Sequence, residues 1–262
     1  MITRTQNLLA QLWWSPVRRV FEALARRLTP LDRIVSGPLA GFRFHGGLAH
    51  RLGVYELPVQ RTLLQHLRAG QIFWDIGGHL GYLSLLAAQR TGAEGRVHTF
   101  EPMDENRRHI ERAAVDNRLE WIQVHPSAMD ERVGEAVLFP GEASTVASLV
   151  ATDAGDGLGQ PVLATTIDTF AAKHRPPHLI KIDVEGAEER VIRGGRELLS
   201  SPQAPILLVE VHSVENEEAV IRRLGRADYR WEFLAPAKSR GPVYPRHLLA
   251  TPPGDGTEGK TS

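Results

Sequence analysis

The chain has 262 residues, with 31 Lys plus Arg against 31 Asp plus Glu and no cysteine. That length suits one α/β domain with an N-terminal extension, and the balanced charge supplies no global field favouring nucleic acid or an anionic membrane. The missing cysteines exclude disulfide stapling, thiolate zinc sites and a cysteine nucleophile together, while 42% apolar residues suffice for a sizeable core and exclude disorder of the whole chain.

The longest apolar stretch near the N-terminus, Leu8 to Trp14, contains Gln11 and stops at Pro16. It is too short for a membrane span and lacks the cleavage pattern of a secretory signal, so a cytoplasmic protein is expected. Val17, Val20, Phe21, Leu24 and Leu28 recur at helical spacing, with Arg18, Arg19, Arg26 and Arg27 mostly off that face. This basic amphipathic helix is expected to pack on the main domain or on a second copy of the chain, a position on a membrane surface being the alternative. Residues 1–54 are therefore read as a helical or lid extension and 55–251 as the main domain. Gly37 to Gly53 reads as turns and short strands, and Pro58 to Leu67 as a helix turning Leu63, Leu64 and Leu67 inward.

After Gly70, short β-rich runs alternate with helical periodicity, as in a doubly wound, parallel α/β sheet with helices on both faces. Strands are predicted over Ile72 to Ile76, Val97 to Phe100, Trp121 to Val124, Leu179 to Ile182, Ile206 to Val211 and Trp231 to Leu234. Helices are predicted over Leu80 to Gln89, Glu105 to Asp116, Glu188 to Leu199 and Glu217 to Leu224. The stretch 135–166 interrupts the alternation and is taken as a β-rich insertion at the sheet's edge, with a Gly/Asp-rich loop from Asp153 to Gly159. The tail 252–262 has nothing to bury and is expected to be disordered.

The first strand runs into Asp75-Ile-Gly77-Gly78-His79-Leu-Gly81 and then a helix, which places the glycines at the carboxyl edge of the sheet, where open α/β folds bind ligands. The spacing is not the Gly-x-Gly-x-x-Gly that seats a pyrophosphate. Asp75 would repel a phosphate but favour a cationic ligand, such as the ammonium and sulfonium of an adenosyl methionine. Glu101 ends the second strand 20 residues after Gly81, the distance at which an acid meets the ribose hydroxyls of an adenosine ligand. Its partner in that turn is Pro102. Ser127 and Ala128, after the third strand, are candidates for the adenine wall; an ordinary turn is the competing reading.

Five blocks resemble, in order and spacing, the signatures of FkbM-type methyltransferases. They are Asp75 to Tyr82, Thr99 to Pro102, Thr166 to Phe170, Lys181-Ile-Asp-Val-Glu-Gly-Ala-Glu188 and Glu210-Val-His212. The resemblance spans roughly Tyr55 to Leu234. It implies a Rossmann-like class I methyltransferase fold with a mostly parallel seven-stranded sheet. It also implies S-adenosylmethionine as cofactor and methyl transfer to a hydroxyl of a sugar, polyketide or other secondary metabolite. The family's loop usually reads Gly-Ala-Asn where this chain has Gly77-Gly78-His79, which leaves His79 either to replace the Asn donor or to reach toward the acceptor. Tyr55 and Glu56 resemble the Tyr-Glu pair ahead of the family's first strand, either closing over the ligands or capping the next helix.

A hydroxyl acceptor must lose a proton to a base within hydrogen-bond reach. The fourth core strand offers Asp183 and Glu185, and the fifth offers Glu210 and His212, which share a face. His212, Asp183 and Glu185 are the predicted catalytic residues, with Asp183 also beside the cofactor. Glu185 at a helix start and a merely structural His212 are the competing readings. A divalent cation held by Asp183 with Glu210 or His212 is conceivable, but carboxylates crowd many sheet edges and no metal is assigned. The expected partner is a small hydroxylated metabolite or glycan rather than nucleic acid, with a homo-oligomer left open. A nucleotide-dependent oxidoreductase and a non-catalytic S-adenosylmethionine-binding module are the alternatives.

Overall fold

The structure is a computed structural model and describes residues 32–140, 147–148, 159–234 and 244–254. The expected N-terminal amphipathic helix, most of the Gly/Asp-rich loop and most of the tail lie outside these residues.

The described chain begins with a turn-rich segment closed by a bridge between Arg33 and Arg43. Helix α1 (Leu48–Arg51) and helix α2 (Leu57–His66) follow. The core then alternates β1 (Ile72–Ile76), α3 (Tyr82–Thr91), β2 (Arg96–Phe100), α4 (Asp104–Asp116) and β3 (Ile122–His125). A second run gives β4 (Ala128–Met129), β5 (Gly134–Pro140), β6 (Ala147–Ser148), β7 (Gln160–Thr165) and α5 (Ile167–Ala171). The remainder is β8 (Leu179–Ile182), α6 (Glu188–Arg193), α7 (Arg196–Leu199), β9 (Ile206–Val211), α8 (Val214–Arg226), β10 (Arg230–Phe233) and β11 (Arg246–Thr251).

Seven strands form one sheet in the order β3-β2-β1-β8-β9-β11-β10. The first five run parallel, and β11 is antiparallel to both β9 and β10. Strand order reverses between β1 and β8, and ligands of open α/β sheets bind at such a switch point. Strands covered on both faces read as continuous apolar runs, and every residue of β1 and β8 is buried. Alternation divides them between two cores. Phe73, Leu179 and Leu208 pack with α2, α3 and α4, while Trp74, Ile180, Ile182 and Val209 pack with α5, α6 and α8. Ile34, Leu39 and Phe44 join the first core, so the segment ahead of α2 is packed onto the domain.

Two expectations change. The strand over Trp231 to Leu234 pairs antiparallel, and β11, which no pattern marked, is threaded between it and β9. The insertion is β-rich: its β5, β6 and β7 join β4 in a second sheet of order β4-β7-β5-β6. Leu138 and Val162 of that sheet pack against Ala128 and Ala187, with Met103 and Val184 alongside. The helix expected over Glu188 to Leu199 breaks into α6 and α7 at Gly194-Gly195, where a Cβ on Gly194 would stand 2.2 Å from the Asp130 carbonyl oxygen. No helix among the described residues is long and apolar enough to cross a membrane.

Candidate active site

A cavity of about 340 Å³ opens at the carboxyl ends of β1, β2, β8 and β9. Gly77, Glu101, Pro102, Met103, Ala128 and Met129 form one end, and Tyr55, Glu56, Asp183, Glu185, Glu210 and His212 the other. Among the described residues the lining holds five carboxylates and no lysine or arginine. That is a site for a ligand with positive charge, and it disfavours phosphates. Of the five non-glycine residues with positive φ among the described residues, three, Glu56 (42°), His79 (49°) and Glu185 (55°), line it. Backbone strain of this kind concentrates at functional sites.

The glycine loop makes the cofactor end possible. Gly77 has φ of 81°, and a Cβ there would stand 1.8 Å from the Asp183 carbonyl oxygen, so only glycine lets β1 and β8 close this edge. Gly78 and Gly81 do not line the main cavity; a Cβ on either would strike Thr99 or Ile110, so they serve the seating of the loop on β2 and α4. Glu101 Oε2 accepts from the His79 N–H at 2.8 Å and Oε1 from the Met103 N–H at 2.9 Å. These bonds clamp the loop and fix the carboxylate at the cavity wall. Burial raises its pKa, against those same hydrogen bonds. The Asn106 side chain also hydrogen-bonds this carboxylate, and the acceptor capacity that remains faces the cavity for a ligand hydroxyl.

Asp75 stands elsewhere than its motif suggested. It is fully buried within β1 and absent from the lining. Its Oδ2 accepts from Ser84 Oγ at 2.5 Å, and its Oδ1 faces the Lys181 ammonium at 3.6 Å. Lys181 Nζ also lies 3.1 Å from Asp183 Oδ2 and donates to the Gly77 carbonyl at 2.9 Å. Burial disfavours this ammonium, but Asp183 and Asp75 outweigh it and hold Lys181 above the ordinary lysine pKa. Burial also raises Asp75, against the pull of Lys181. Asp75 therefore acts on the site through Lys181, which ties the loop to Asp183. Ser127 also stands outside the lining, while its neighbour Ala128 is part of it.

The predicted catalytic residues do converge. His212 Nε2 lies 3.7 Å from Asp183 Oδ1 and 3.3 Å from Glu185 Oε2, and Nδ1 lies 3.1 Å from Glu188 Oε1. Glu188 is wholly buried and also accepts the N–H groups of Val184 and Gly186 at 3.0 and 3.1 Å. Burial lowers the His212 pKa, but Glu188, Asp183 and Glu185 together push it up to about 9. At neutral pH it is an imidazolium. Asp183 is pulled below the usual carboxylate range, since Lys181 and His212 outweigh its burial. Glu210 moves the other way: burial and the charge of Asp183 push it up to about 7.

Sequence patterns did not mark Met103, Met129, Leu138 or Pro245, all of which line the cavity. Met103 and Met129 each follow a predicted residue directly. Leu138 and Pro245 arrive from the insertion and from the entry to β11, where no motif points. Tyr55 stacks on His50 with ring centroids 4.1 Å apart and meets Tyr82 edge-on, which fixes the wall from which Glu56 projects.

The sequence matches the methyltransferase FkbM domain over residues 75–233, more than half of the chain. No curated protein sequence matches it. Among solved structures, the methyltransferase FkbM of Methylobacillus flagellatus aligns with a TM-score of 0.52 at 17% identity, covering 91% of this chain and 72% of that one. A candidate rRNA methylase from Clostridium thermocellum aligns with a TM-score of 0.51 at 12% identity, covering 73% and 91%. A candidate O-methyltransferase from Klebsiella pneumoniae gives 0.50 at 13%, covering 95% and 96%. At these identities the likeness speaks for the fold, a seven-stranded class I methyltransferase sheet, whereas the domain match settles kinship: this chain belongs to the FkbM methyltransferase family.

Proposed function

We propose that the protein transfers the methyl group of S-adenosylmethionine to a hydroxyl of a small metabolite, a sugar, polyketide or related secondary product. The observation that carries this reading is the cavity lining, which among the described residues has five carboxylates without a lysine or arginine. It suits a ligand bearing a sulfonium and an ammonium, and it would repel the pyrophosphate of a nicotinamide cofactor or a nucleic-acid backbone.

When bound, the donor supplies an electrophilic methyl carbon for in-line displacement. The chain's own residues do the remaining work. Glu101 would receive the ribose hydroxyls, Pro102, Met103, Ala128 and Met129 would enclose the base, and Gly77 would admit the ligand against the β1 edge. Asp183 would accept the acceptor's hydroxyl proton during that displacement, in which the donor's sulfur is the leaving group. Lys181 and the His212 imidazolium orient that carboxylate from two sides. This assigns His212 to positioning instead of the base role that its residue type suggested, since three carboxylates keep it protonated.

The test is methyl transfer from labelled S-adenosylmethionine to a panel of hydroxylated metabolites, with the product identified by mass spectrometry. The expected product is a methyl ether. Label found only on nitrogen or carbon, or no transfer by protein that binds the cofactor in calorimetry, would refute the reading.

A further inference from the structure

Beyond the residues assigned above, three side chains from distant parts of the chain meet beside the acceptor end of the cavity, which two of them, Glu56 and Glu210, line. Glu56 precedes α2, Glu210 lies near the end of β9 and His247 near the start of β11. They offer one ligand atom each within 4.8 Å of one another. His247 Nε2 stands 3.3 Å from Glu210 Oε2 and 3.8 Å from Glu56 Oε2.

The second observation concerns how these atoms are left. Glu56 Oε2 and His247 Nε2 are shielded from solvent and have no hydrogen-bond partner. The 3.3 Å contact is within reach of a hydrogen bond but lacks its geometry. Orphaned buried polar atoms are costly and call for a missing partner. Donor atoms around a first-row divalent ion stand about 3.0–3.4 Å apart, given metal–ligand distances near 2.0–2.2 Å, so small side-chain shifts would bring all three onto one ion. One imidazole and two carboxylates form a donor set for zinc or manganese more than for magnesium, which prefers oxygen alone.

A second cluster, Asp183, Glu188 and His212, has similar spacing, but its capacity is committed. Glu188 Oε1 already takes two backbone N–H groups and His212, and the Lys181 ammonium sits 3.1 Å from Asp183. Glu56 and Glu210 have no lysine or arginine in an ion pair among the described residues. What faces them is the His247 imidazole, whose proton a metal would displace on binding.

We infer that Glu56, Glu210 and His247 form a binding site for one divalent transition-metal ion, with its open positions facing the cavity where the acceptor hydroxyl enters. Its role rests on the methyl-transfer reading, though the binding does not. An ion there would acidify the coordinated hydroxyl, and the released proton would pass to Asp183, across the same cavity.

The experiment is titration of the full chain, stripped with a chelator and dialysed, with Mn²⁺ followed by electron paramagnetic resonance and with Zn²⁺ by calorimetry. One equivalent of either ion should bind. Glu210→Gln and His247→Ala should each weaken binding on the order of a hundredfold, and Glu56→Gln should do likewise if either of those fails to fold, whereas Glu185→Gln should leave it unchanged. Absence of binding of both ions to the wild type, or affinity that survives all of the folded site variants, overturns the assignment. S-adenosylhomocysteine titrated into the same metal-free sample tests the cofactor reading separately, so either claim can fail alone.

Discussion

Glu101→Gln puts the cofactor end of the site to a quantitative test. The carboxylate spends one oxygen on the His79 N–H and the other on the Met103 N–H, and it is 5% exposed, so solvent does not replace what is lost. Glutamine has the same shape but only one acceptor oxygen. Whichever way the amide turns, its NH2 faces one of those two N–H groups. Hydrogen bonds to a charged group contribute about 1.5–3 kcal/mol, and a buried donor left unpaired costs about 1–3 kcal/mol. The fold should therefore lose about 1–3 kcal/mol in urea unfolding. The ribose loses one charged acceptor of the two, which predicts S-adenosylhomocysteine binding weaker by about 10- to 100-fold, at 1.4 kcal/mol per tenfold. Calorimetric titration of folded wild type and variant measures it. Affinity indistinguishable from the wild type's would remove Glu101 from the ribose site, whatever the unfolding data show.

Lys181→Met should cost about 3–5 kcal/mol in chemical denaturation, because the buried Asp75 and Asp183 lose their shared cation; a loss no larger than the ~1 kcal/mol of an exposed pair would contradict that role. Gly77→Ala should abolish cofactor binding and lower the melting temperature, given the 1.8 Å approach of its Cβ to the Asp183 carbonyl oxygen; retained binding would mean that β1 and β8 can part without consequence. His212→Ala should lower kcat about a hundredfold, at the low end of acid–base contributions, with cofactor affinity held; unchanged kcat retires its positioning role. Acid should destabilise the fold through His98 and His125, which burial lowers to about 3 and about 4. Both are neutral when folded but protonate near 6.5 when unfolded, so their contribution is complete above about 6.5 and is lost as pH falls from there toward 3. Melting temperatures that do not fall between pH 7 and pH 5 would contradict this.

The sheet's centre was legible because β1, β8 and β9 are buried on both faces and must be apolar almost throughout. β11 was not, since in Arg-His-Leu-Leu-Ala-Thr only Leu248, Leu249 and Ala250 are buried and the flanking residues follow no clean alternation. Glu101 was legible because its distance from the glycine loop reflects the geometry of a βαβ unit. Asp75 carried the right motif but lies within β1, one residue short of its end, and strand alternation turns it onto the Phe73 face under α3. Glu210 and His212 share a face, and both reach the cavity. What sequence could not give is the charge each carries, which depends on Glu188, Asp183 and His247 arriving from other elements.

A crystal structure of the complex with S-adenosylhomocysteine tests the central claim most directly. The account predicts ribose hydroxyls on the Glu101 carboxylate, the base against Met103 and Met129, and the sulfur turned toward Asp183 and His212. A ligand seated away from the Gly77 loop, or one whose ribose leaves Glu101 untouched, would contradict it.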